Sequence, residues 1–285
     1  MTERKRKQKT AISIIGSGRL GTALGVALLR RGYSVQSLVA RRVQSARRAA
    51  RLLDAEAQVL AAKDLRSLKP VGVLLITVPD DQIAGVASEL SRLEFTATAL
   101  HTSGALSSDV LKPLQKRGWH TGSIHPLISV SHAGDSIKGA FWSVEGDKAA
   151  VRTGKAIVRD VGGKSFFLRS EDKPLYHAAA VMVSGNVTAL FDVALEMLFE
   201  CGLKRATARQ ILLPLIASTI RNLETKDPAQ ALTGTFSRGD LETVKRHLAA
   251  LKRNPDALEL YRLLGKRSLK LTRKHPQITR LLDSV

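Results

Sequence analysis

Three glycines near the start of the chain constrain its fold more than any other feature. Gly16, Gly18 and Gly21 follow the apolar run "AISII" and precede a segment with helical periodicity. A G-x-G-x-x-G spacing between a strand and a helix is the fingerprint of a dinucleotide-binding turn. The first glycine permits the tight turn, the second lets the backbone approach a pyrophosphate, and the third lets helix and strand pack closely. The alternative is a glycine-rich turn that binds no ligand.

The alternation of strand and helix patterns continues to about residue 170. Apolar strands such as "YSVQSLVA" and "VGVLLITVP" are separated by segments typical of helices. Such alternation predicts an α/β fold with a mostly parallel, Rossmann-type sheet covered by helices. Beyond that point only helical patterns remain. We therefore expect a basic tail over residues 1–10, a dinucleotide-binding domain over 11–170 and an all-α domain over 171–285.

The helical part contains two long apolar segments. "KPLYHAAAVMVSGNVTALFDVALEMLFECG" is typical of one helix that ends at Gly202, and "TARQILLPLIASTIRNLET" predicts a second helix with a kink at Pro214. Farther along, Asp240 is expected to cap the following helix. No run of about 18 apolar residues is free of charges and turn breakers, so we do not expect a membrane span.

The residues after the second predicted strand bear on the choice of cofactor. Units that bind NAD usually place Asp or Glu there, but this chain has Arg41 and Arg42. A carboxylate would repel a 2′-phosphate, whereas a guanidinium group can bind it through two hydrogen bonds. The pattern favours NADP, unless both arginines only begin a solvated helix. The candidate cofactor-binding residues are Gly16, Ser17, Gly18, Arg19, Leu20, Gly21, Arg41, Arg42, Val78 and Pro79.

Polar side chains follow two further predicted strands. Ser103 ends one of them and His125 ends the next, and both turns should lie at the sheet edge that carries the glycine turn. His125 can donate a proton to a carbonyl or imine product, orient the substrate, or hydrogen-bond its own loop. Either Asp80 or Asp81 can cap the next helix, and for both residues capping is favoured over a catalytic role. The candidate catalytic residues are Ser103, His125, His177, Ser184 and Asn186.

Composition limits the remaining possibilities. A single cysteine, Cys201, excludes a disulfide within the chain and fits a cytoplasmic protein. The histidines show no metal-ligand spacing, so we predict no metal site. The net charge of +20 would attract anions, but the basic residues are scattered and aromatic residues are scarce, so we do not expect a dedicated nucleic-acid function.

The order of the motifs resembles that of a known group of proteins. "IIGSGRLGTAL", "TVPDDQI", "HTSGAL", "SIHPL", "YHAAAVMVSGN" and "LTGTFSRGD" together resemble a bacterial family of NADP oxidoreductases. That family has an N-terminal Rossmann-like domain and a C-terminal helical domain of unknown function. Its layout is similar to that of pyrroline-5-carboxylate reductases and, more distantly, of 6-phosphogluconate and β-hydroxyacid dehydrogenases. The resemblance implies NADP binding, dimerisation through the helical domain and an active site between the domains.

One catalytic residue of a related family is missing from this chain. Ser184-Gly185 matches a Ser-Gly of the pyrroline-5-carboxylate reductases, and Gly234-Thr235 loosely matches their substrate loop. The β-hydroxyacid dehydrogenases carry a catalytic lysine four residues before an asparagine, but the residue four before Asn186 is Met182. Lys173 is too far along the helix to replace that lysine by register.

These observations lead to one expectation and two alternatives. We expect an NADPH-dependent reductase of a small carbonyl or imine, including one that carries a carboxylate. Such an enzyme leaves the hydride chemistry to its cofactor and supplies position and a dry cleft. The alternatives are an NADP sensor without catalysis, which the missing lysine favours slightly, and a protein that binds nucleic acid through its basic surface.

Overall fold

The computed structural model describes residues 9–272 and 275–284, which divide into two compact units after Gly185. The first unit contains a single sheet with the spatial order β3-β2-β1-β4-β5-β6-β7-β8 in the described residues. Its strands are β1 (Ile12–Ile15), β2 (Val35–Ala40), β3 (Gln58–Ala61), β4 (Val73–Ile76), β5 (Thr98–His101), β6 (His120–Leu127), β7 (Phe141–Gly146) and β8 (Lys164–Phe167).

All neighbouring strands run parallel except β6 and β7. The helices of this unit are α1 (Arg19–Leu29), α2 (Val43–Leu53), α3 (Asp80–Leu90), α4 (Lys112–Gln115), α5 (Lys148–Asp160) and α6 (Lys173–Val183), with 3₁₀ turns at Ala62–Ser67, Ser108–Leu111 and Ser170–Asp172. The predicted Rossmann-type sheet is therefore confirmed. The four-residue strand β3 was not expected from the sequence.

The central strands of the sheet are buried on both faces, as is typical of a mostly parallel sheet, whereas the edge strand β8 is largely exposed. Successive residues of β1 show this, because Ile14 packs into the cluster that contains α1, α2 and α5, whereas Ile15 packs into the cluster that contains α3. Along β4 the same alternation places Leu75 and Ile76 in opposite clusters. The apolar residues of these strands thus hold the sheet between its helices, and the sheet in turn positions the loops at the edge where the strands end.

The second unit is helical throughout its described residues. Its helices are α7, which begins at the boundary (Gly185–Glu200), α8 (Arg205–Thr225), α9 (Pro228–Ala231), α10 (Thr235–Arg238), α11 (Leu241–Leu251), α12 (Pro255–Leu269) and α13 (Pro276–Asp283). A small core joins α11, α12 and α13 through Val244, Leu248, Leu269, Ile278 and Leu282. Asp240 caps α11 by accepting a hydrogen bond from the backbone N–H of Thr243, as predicted.

The long apolar segment is not the single helix that its composition suggested. The backbone leaves helical geometry at Ser184, with φ −120° and ψ −81°, so that α6 ends at Val183 and α7 begins at Gly185. Helix α7 then ends at Glu200 rather than at Gly202. Pro214 lies inside α8 without ending it.

The same segment is unusually exposed for its composition. Among the described residues, Ser170–Glu200 is long and apolar enough to cross a membrane. Its most apolar stretch has a mean hydropathy of 1.6, and only 6% of that stretch is buried. Length and composition alone do not separate a membrane span from a surface that another protein covers.

Candidate functional site

A cleft of about 400 Å³ lies at the glycine turn. It is lined by Gly16, Ser17, Gly18, Ala40, Arg41, Arg42, Ser45, Thr77, Val78, Pro79 and Gln82. Seven of the ten predicted cofactor-binding residues thus share one cleft. Of the other three, Arg19 is exposed at the start of α1, Gly21 is buried beneath the turn, and Leu20 lines a neighbouring pocket.

The three glycine positions of the turn differ in how much space each leaves for a Cβ atom. Gly16 has φ +109°, and a Cβ atom there would lie 2.6 Å from the carbonyl carbon of Thr77. A Cβ atom on Gly21 would collide with the carbonyl oxygen of Gly16. A Cβ atom on Gly18, by contrast, would have no described atom within 4 Å. The backbone is therefore packed on the protein side of the turn and open on the side where a pyrophosphate would lie.

Two further observations fit a dinucleotide in this cleft. The buried Oγ of Ser17 has no hydrogen-bond partner among the described residues, although buried hydroxyl groups are normally paired. Arg41 and Arg42 are exposed side chains at the end of β2, and the cleft lining includes no Asp or Glu. The residues present therefore suit a phosphorylated ligand with negative charge near the arginines.

A second pocket, of about 240 Å³, lies at the same sheet edge. Its lining residues are Leu20, Asp80, Thr102, Ser103, Gly104, His125, Pro126, Ile128, Val130 and His177. The fold therefore brings together three of the predicted catalytic residues, Ser103, His125 and His177. It adds Asp80, for which the sequence predicted a different role.

Asp80 does not cap α3. The first turn of that helix has no side-chain cap hydrogen bond, so the capping interpretation was wrong. Instead the Oδ2 of Asp80 accepts a hydrogen bond of 2.7 Å from the Ser103 hydroxyl. The same hydroxyl oxygen accepts from the backbone N–H groups of Ala105 and Leu106 at 3.2 and 2.9 Å. The Ser103 hydroxyl thus holds both the Asp80 side chain and the loop that contains Ser103. Its proton is directed to the Asp80 carboxylate.

His125 and His177 face each other across Gly104. Their ring centroids are 5.5 Å apart at a near-perpendicular angle. A Cβ atom on Gly104 would lie 2.8 Å from the Nε2 of His125 and would collide with the Nδ1 of His177, which explains the glycine. That Nδ1 is buried and has no partner among the described residues. His177 therefore offers an unused polar atom beside the pocket.

His125 is held in a neutral state. Burial lowers its pKa to about 4, with smaller contributions from the charges of Lys173 and His177. Its Nδ1 lies 2.8 Å from the hydroxyl of Tyr176. A Tyr176 hydroxyl that donates to Nδ1 leaves the imidazole proton on Nε2, the nitrogen next to Gly104. At neutral pH His125 then acts as a hydrogen-bond donor and not as an imidazolium acid.

A buried charged pair lies beneath the pocket. Lys173 is fully buried, and its Nζ donates to the carbonyl oxygen of Ser103 at 2.9 Å and to the Oγ of Ser123 at 2.7 Å. Glu145, also buried, lies 4.0 Å from the same nitrogen and accepts from the backbone N–H and hydroxyl of Ser108. Burial lowers the pKa of Lys173 to about 8, against the opposing effects of Glu145 and Asp80. Lys173 was set aside on register, yet the fold places it directly behind Ser103.

The two remaining catalytic candidates lie elsewhere. Ser184 lines a more apolar pocket of about 580 Å³, which shares His125, Pro126, Ile128 and His177 with the second pocket. Asn186 begins the second compact unit. The described residues contain no group of three or more side chains suited to a metal ion.

The comparisons with known families agree with this architecture. The model of a Rossmann-like domain matches residues 2–126, and a domain of unknown function, DUF2520, matches residues 140–268. The chain combines a Rossmann-like domain with a DUF2520 domain. No curated protein matches the chain.

Solved structures show similar folds. A protein from Bacteroides fragilis, provisionally described as an NADP oxidoreductase, is 25% identical with a TM-score of 0.77, over 92% of this chain and 99% of that one. The 1-pyrroline-5-carboxylate reductase from Streptococcus pyogenes is 16% identical with a TM-score of 0.65, over 92% and 99% of the two chains. A reductive aminase from Aspergillus terreus, in complex with NADPH and ethyl levulinate, is 16% identical with a TM-score of 0.64, over 96% and 99%. By name these neighbours are an oxidoreductase, a reductase and an aminase, and the two that are 16% identical show a similarity of fold alone.

Proposed function

We propose that the protein is an NADPH-dependent reductase of a small carbonyl or imine. The observation that carries this proposal is the position of two sites at one sheet edge: a glycine-turn cleft with two arginines, and a pocket lined by Asp80, Ser103 and two histidines. Leu20, two residues after Gly18 of the glycine-turn cleft, lines the second pocket. Ligands of this fold bind at the carboxyl edge of the sheet.

The choice of NADP over NAD rests on the arginines. Asp or Glu after β2 would accept hydrogen bonds from the ribose hydroxyls of NAD, and that position carries Arg41 and Arg42 instead. Two exposed guanidinium groups beside the cleft favour a 2′-phosphate. The names of two structural neighbours mention NADP or NADPH, and that of a prephenate dehydrogenase from A. aeolicus mentions NAD⁺, so the choice of NADP depends on the arginines.

When bound, the dinucleotide supplies or accepts the hydride. The chain's own residues would then bind and orient the substrate. Neutral His125 would donate a hydrogen bond to a carbonyl oxygen or an unprotonated imine nitrogen, and Asp80, fixed by Ser103, would accept a hydrogen bond from a second substrate group. Apolar side chains on the rim of the pocket, among them Leu20 and Ile128, would exclude water.

We further propose that the chain forms a homodimer through its apolar helices. Large apolar side chains remain exposed along α6, α7 and α8, including Met182 at 66% and Leu215 at 63%. Exposed apolar side chains in such number mark a protein or membrane contact. A second copy is the partner that the resemblance implies.

The single cysteine supports a cytoplasmic site of action.

A turnover screen tests the central proposal. Purified protein with NADPH is offered a panel of ketones, keto acids and cyclic imines, and loss of the NADPH absorbance is recorded. The proposal predicts oxidation that depends on both substrate and protein. Tight NADPH binding with no oxidation across the panel would favour the sensor alternative. A gel-shift assay at moderate salt is expected to show no complex with nucleic acid.

A further inference from the structure

We propose that the pocket lined by Asp80, Ser103, His125 and His177 selects a substrate with a positively charged nitrogen and an apolar substituent, and rejects carboxylates. The chemical class is a protonated imine, or the corresponding ammonium product. This inference rests on the proposed reductase function and narrows it.

The charge of the pocket lining carries the proposal. Asp80 is the only Asp, Glu, Lys or Arg among the residues that line this pocket in the described chain, and no lysine or arginine lines the adjoining apolar pocket either. The hydrogen bond from Ser103 fixes the Asp80 carboxylate. A substrate carboxylate placed here would approach a like charge, whereas a cationic nitrogen would find an acceptor.

The nearest lysine cannot serve as an anion receptor. Lys173 is fully buried, and its ammonium group already donates to Ser103 and Ser123 and lies near Glu145. To bind a substrate carboxylate, it would have to break these contacts and leave the Glu145 carboxylate buried without its counter-ion. The buried Lys173 and Glu145 therefore have no net charge together, and they do not attract an anionic substrate.

The remaining surroundings suit a largely apolar ligand with one polar centre. His125 and His177 provide ring nitrogens, and the Nδ1 of His177 is buried without a hydrogen-bond partner among the described residues. The apolar pocket continues from these two rings past Pro126, Ile128 and Val181. A hydrophobic substituent would extend in that direction and leave the charged nitrogen near Asp80.

A protonated imine also matches the proton supply of the site. Hydride addition to the carbon of a C=N⁺ group forms a C–H bond, and the π electron pair moves to nitrogen and neutralises it. The dinucleotide loses two electrons as hydride, and the amine product takes its next proton from solvent. The reacting step itself then needs no acid from the protein. This accounts for a pocket in which the Ser103 proton is directed to Asp80, His125 is neutral and Lys173 is buried.

Three matched probes test the charge preference directly. Cyclohexylmethylamine, cyclohexylmethanol and cyclohexanecarboxylate share one ring and carry a positive, a neutral and a negative group at neutral pH. Isothermal titration at neutral pH measures the binding of each probe to the full chain, with and without saturating NADP⁺. We expect the amine to bind at least about tenfold more tightly than the carboxylate, because the Asp80 carboxylate attracts an ammonium group and repels a like charge.

A substitution identifies the group responsible. Asp80→Asn retains an acceptor for the Ser103 hydroxyl and removes the charge, and it should reduce amine affinity about tenfold while leaving the alcohol unchanged. Asp81→Asn is the matched control, because Asp81 occupies the same helical turn and does not line the pocket. The control should bind all three probes as the natural chain does.

The possible results separate this inference from the proposed function. Amine binding that depends on Asp80 supports the inference, whether or not NADP⁺ binds. Equal or tighter binding of the carboxylate, amine binding that survives Asp80→Asn, or binding of none of the three probes would overturn it. Failure of NADP⁺ itself to bind would instead contradict the proposed reductase.

Discussion

The ammonium nitrogen of Lys173 lies 2.9 Å from the carbonyl oxygen of Ser103, although the two residues are far apart in sequence. The contact ties the start of α6 to the loop after β5, at the edge where both candidate pockets lie. Because Glu145 is buried beside it, Lys173 also neutralises a charge that has no access to water.

Removal of one member of this pair should be costly. Lys173→Met is expected to lower the free energy of unfolding by about 3–5 kcal/mol, because it leaves Glu145 buried without a counter-ion. The double variant with Glu145→Gln should be less destabilised than the sum of the two single variants. Urea denaturation measures all three, and Lys148→Met, at an exposed position, should stay within about 0.5 kcal/mol of the natural chain. Additive losses would show that the two charges do not interact.

Acid should weaken the fold before the carboxylates titrate. Burial lowers the pKa of His101 to about 3 and that of His125 to about 4, both below the ordinary value of 6.5. Between these values and 6.5 the unfolded chain binds more protons, so stability falls as pH decreases through this window, by about 1.4 kcal/mol per pH unit for each histidine.

Denaturant titrations from neutral pH to about pH 4 would reveal this dependence. His125→Asn should reduce the slope by about one proton, and the exposed His132→Asn should leave it unchanged. A pH-independent stability above pH 4 would contradict the neutral histidines.

The glycines of the turn should separate folding from binding. Gly18→Ala is expected to leave stability almost unchanged and to weaken NADPH binding, because its Cβ atom enters only the open side of the turn. Gly16→Ala should reduce both, since φ is +109° and the Cβ atom meets Thr77. Gly85→Ala is the control: its position in α3 is open, so the variant should gain about 0.5–1 kcal/mol and bind NADPH normally. Normal NADPH binding by Gly18→Ala would place the cofactor elsewhere.

The proposed dimer depends on the exposed apolar faces. Leu215→Glu on α8 should shift the protein from dimer to monomer in analytical ultracentrifugation, because it buries a charge in an apolar contact. Leu52→Glu, at an equally exposed site on α2, should leave the dimer intact. A monomeric natural chain that co-sediments with lipid vesicles would instead assign the apolar segment to a membrane.

Local patterns in the sequence predicted the sheet and named seven of the residues that line the glycine-turn cleft. The glycine spacing, the flanking strand and helix, and the two arginines are all close in sequence, and the structure gathers them around one cleft. Strand β3 was missed because only four residues form it, between a polar helix and a 3₁₀ turn. The helix break at Ser184 was missed because apolar residues continue on both sides of it.

The chemistry of the second pocket was less accessible from the sequence. Ser103, His125 and His177 could be proposed because each stands out as a polar residue after a strand or on an apolar helix. Asp80 and Lys173 carry no such signal, since an aspartate at the start of a helix usually caps it and a lysine is usually exposed. Their roles depend on contacts between distant parts of the chain. The predicted position of the site between two domains stays a prediction.

The most direct measurement of the central claim is a comparison of NADPH and NADH affinities by isothermal titration. The account predicts that NADPH binds at least about tenfold more tightly than NADH, because the guanidinium groups of Arg41 and Arg42 can bind the 2′-phosphate. The double variant Arg41→Ala/Arg42→Ala should bind the two dinucleotides equally, and Arg47→Ala/Arg48→Ala, on the following helix α2, should retain the preference. Equal or tighter binding of NADH by the natural chain would contradict the account.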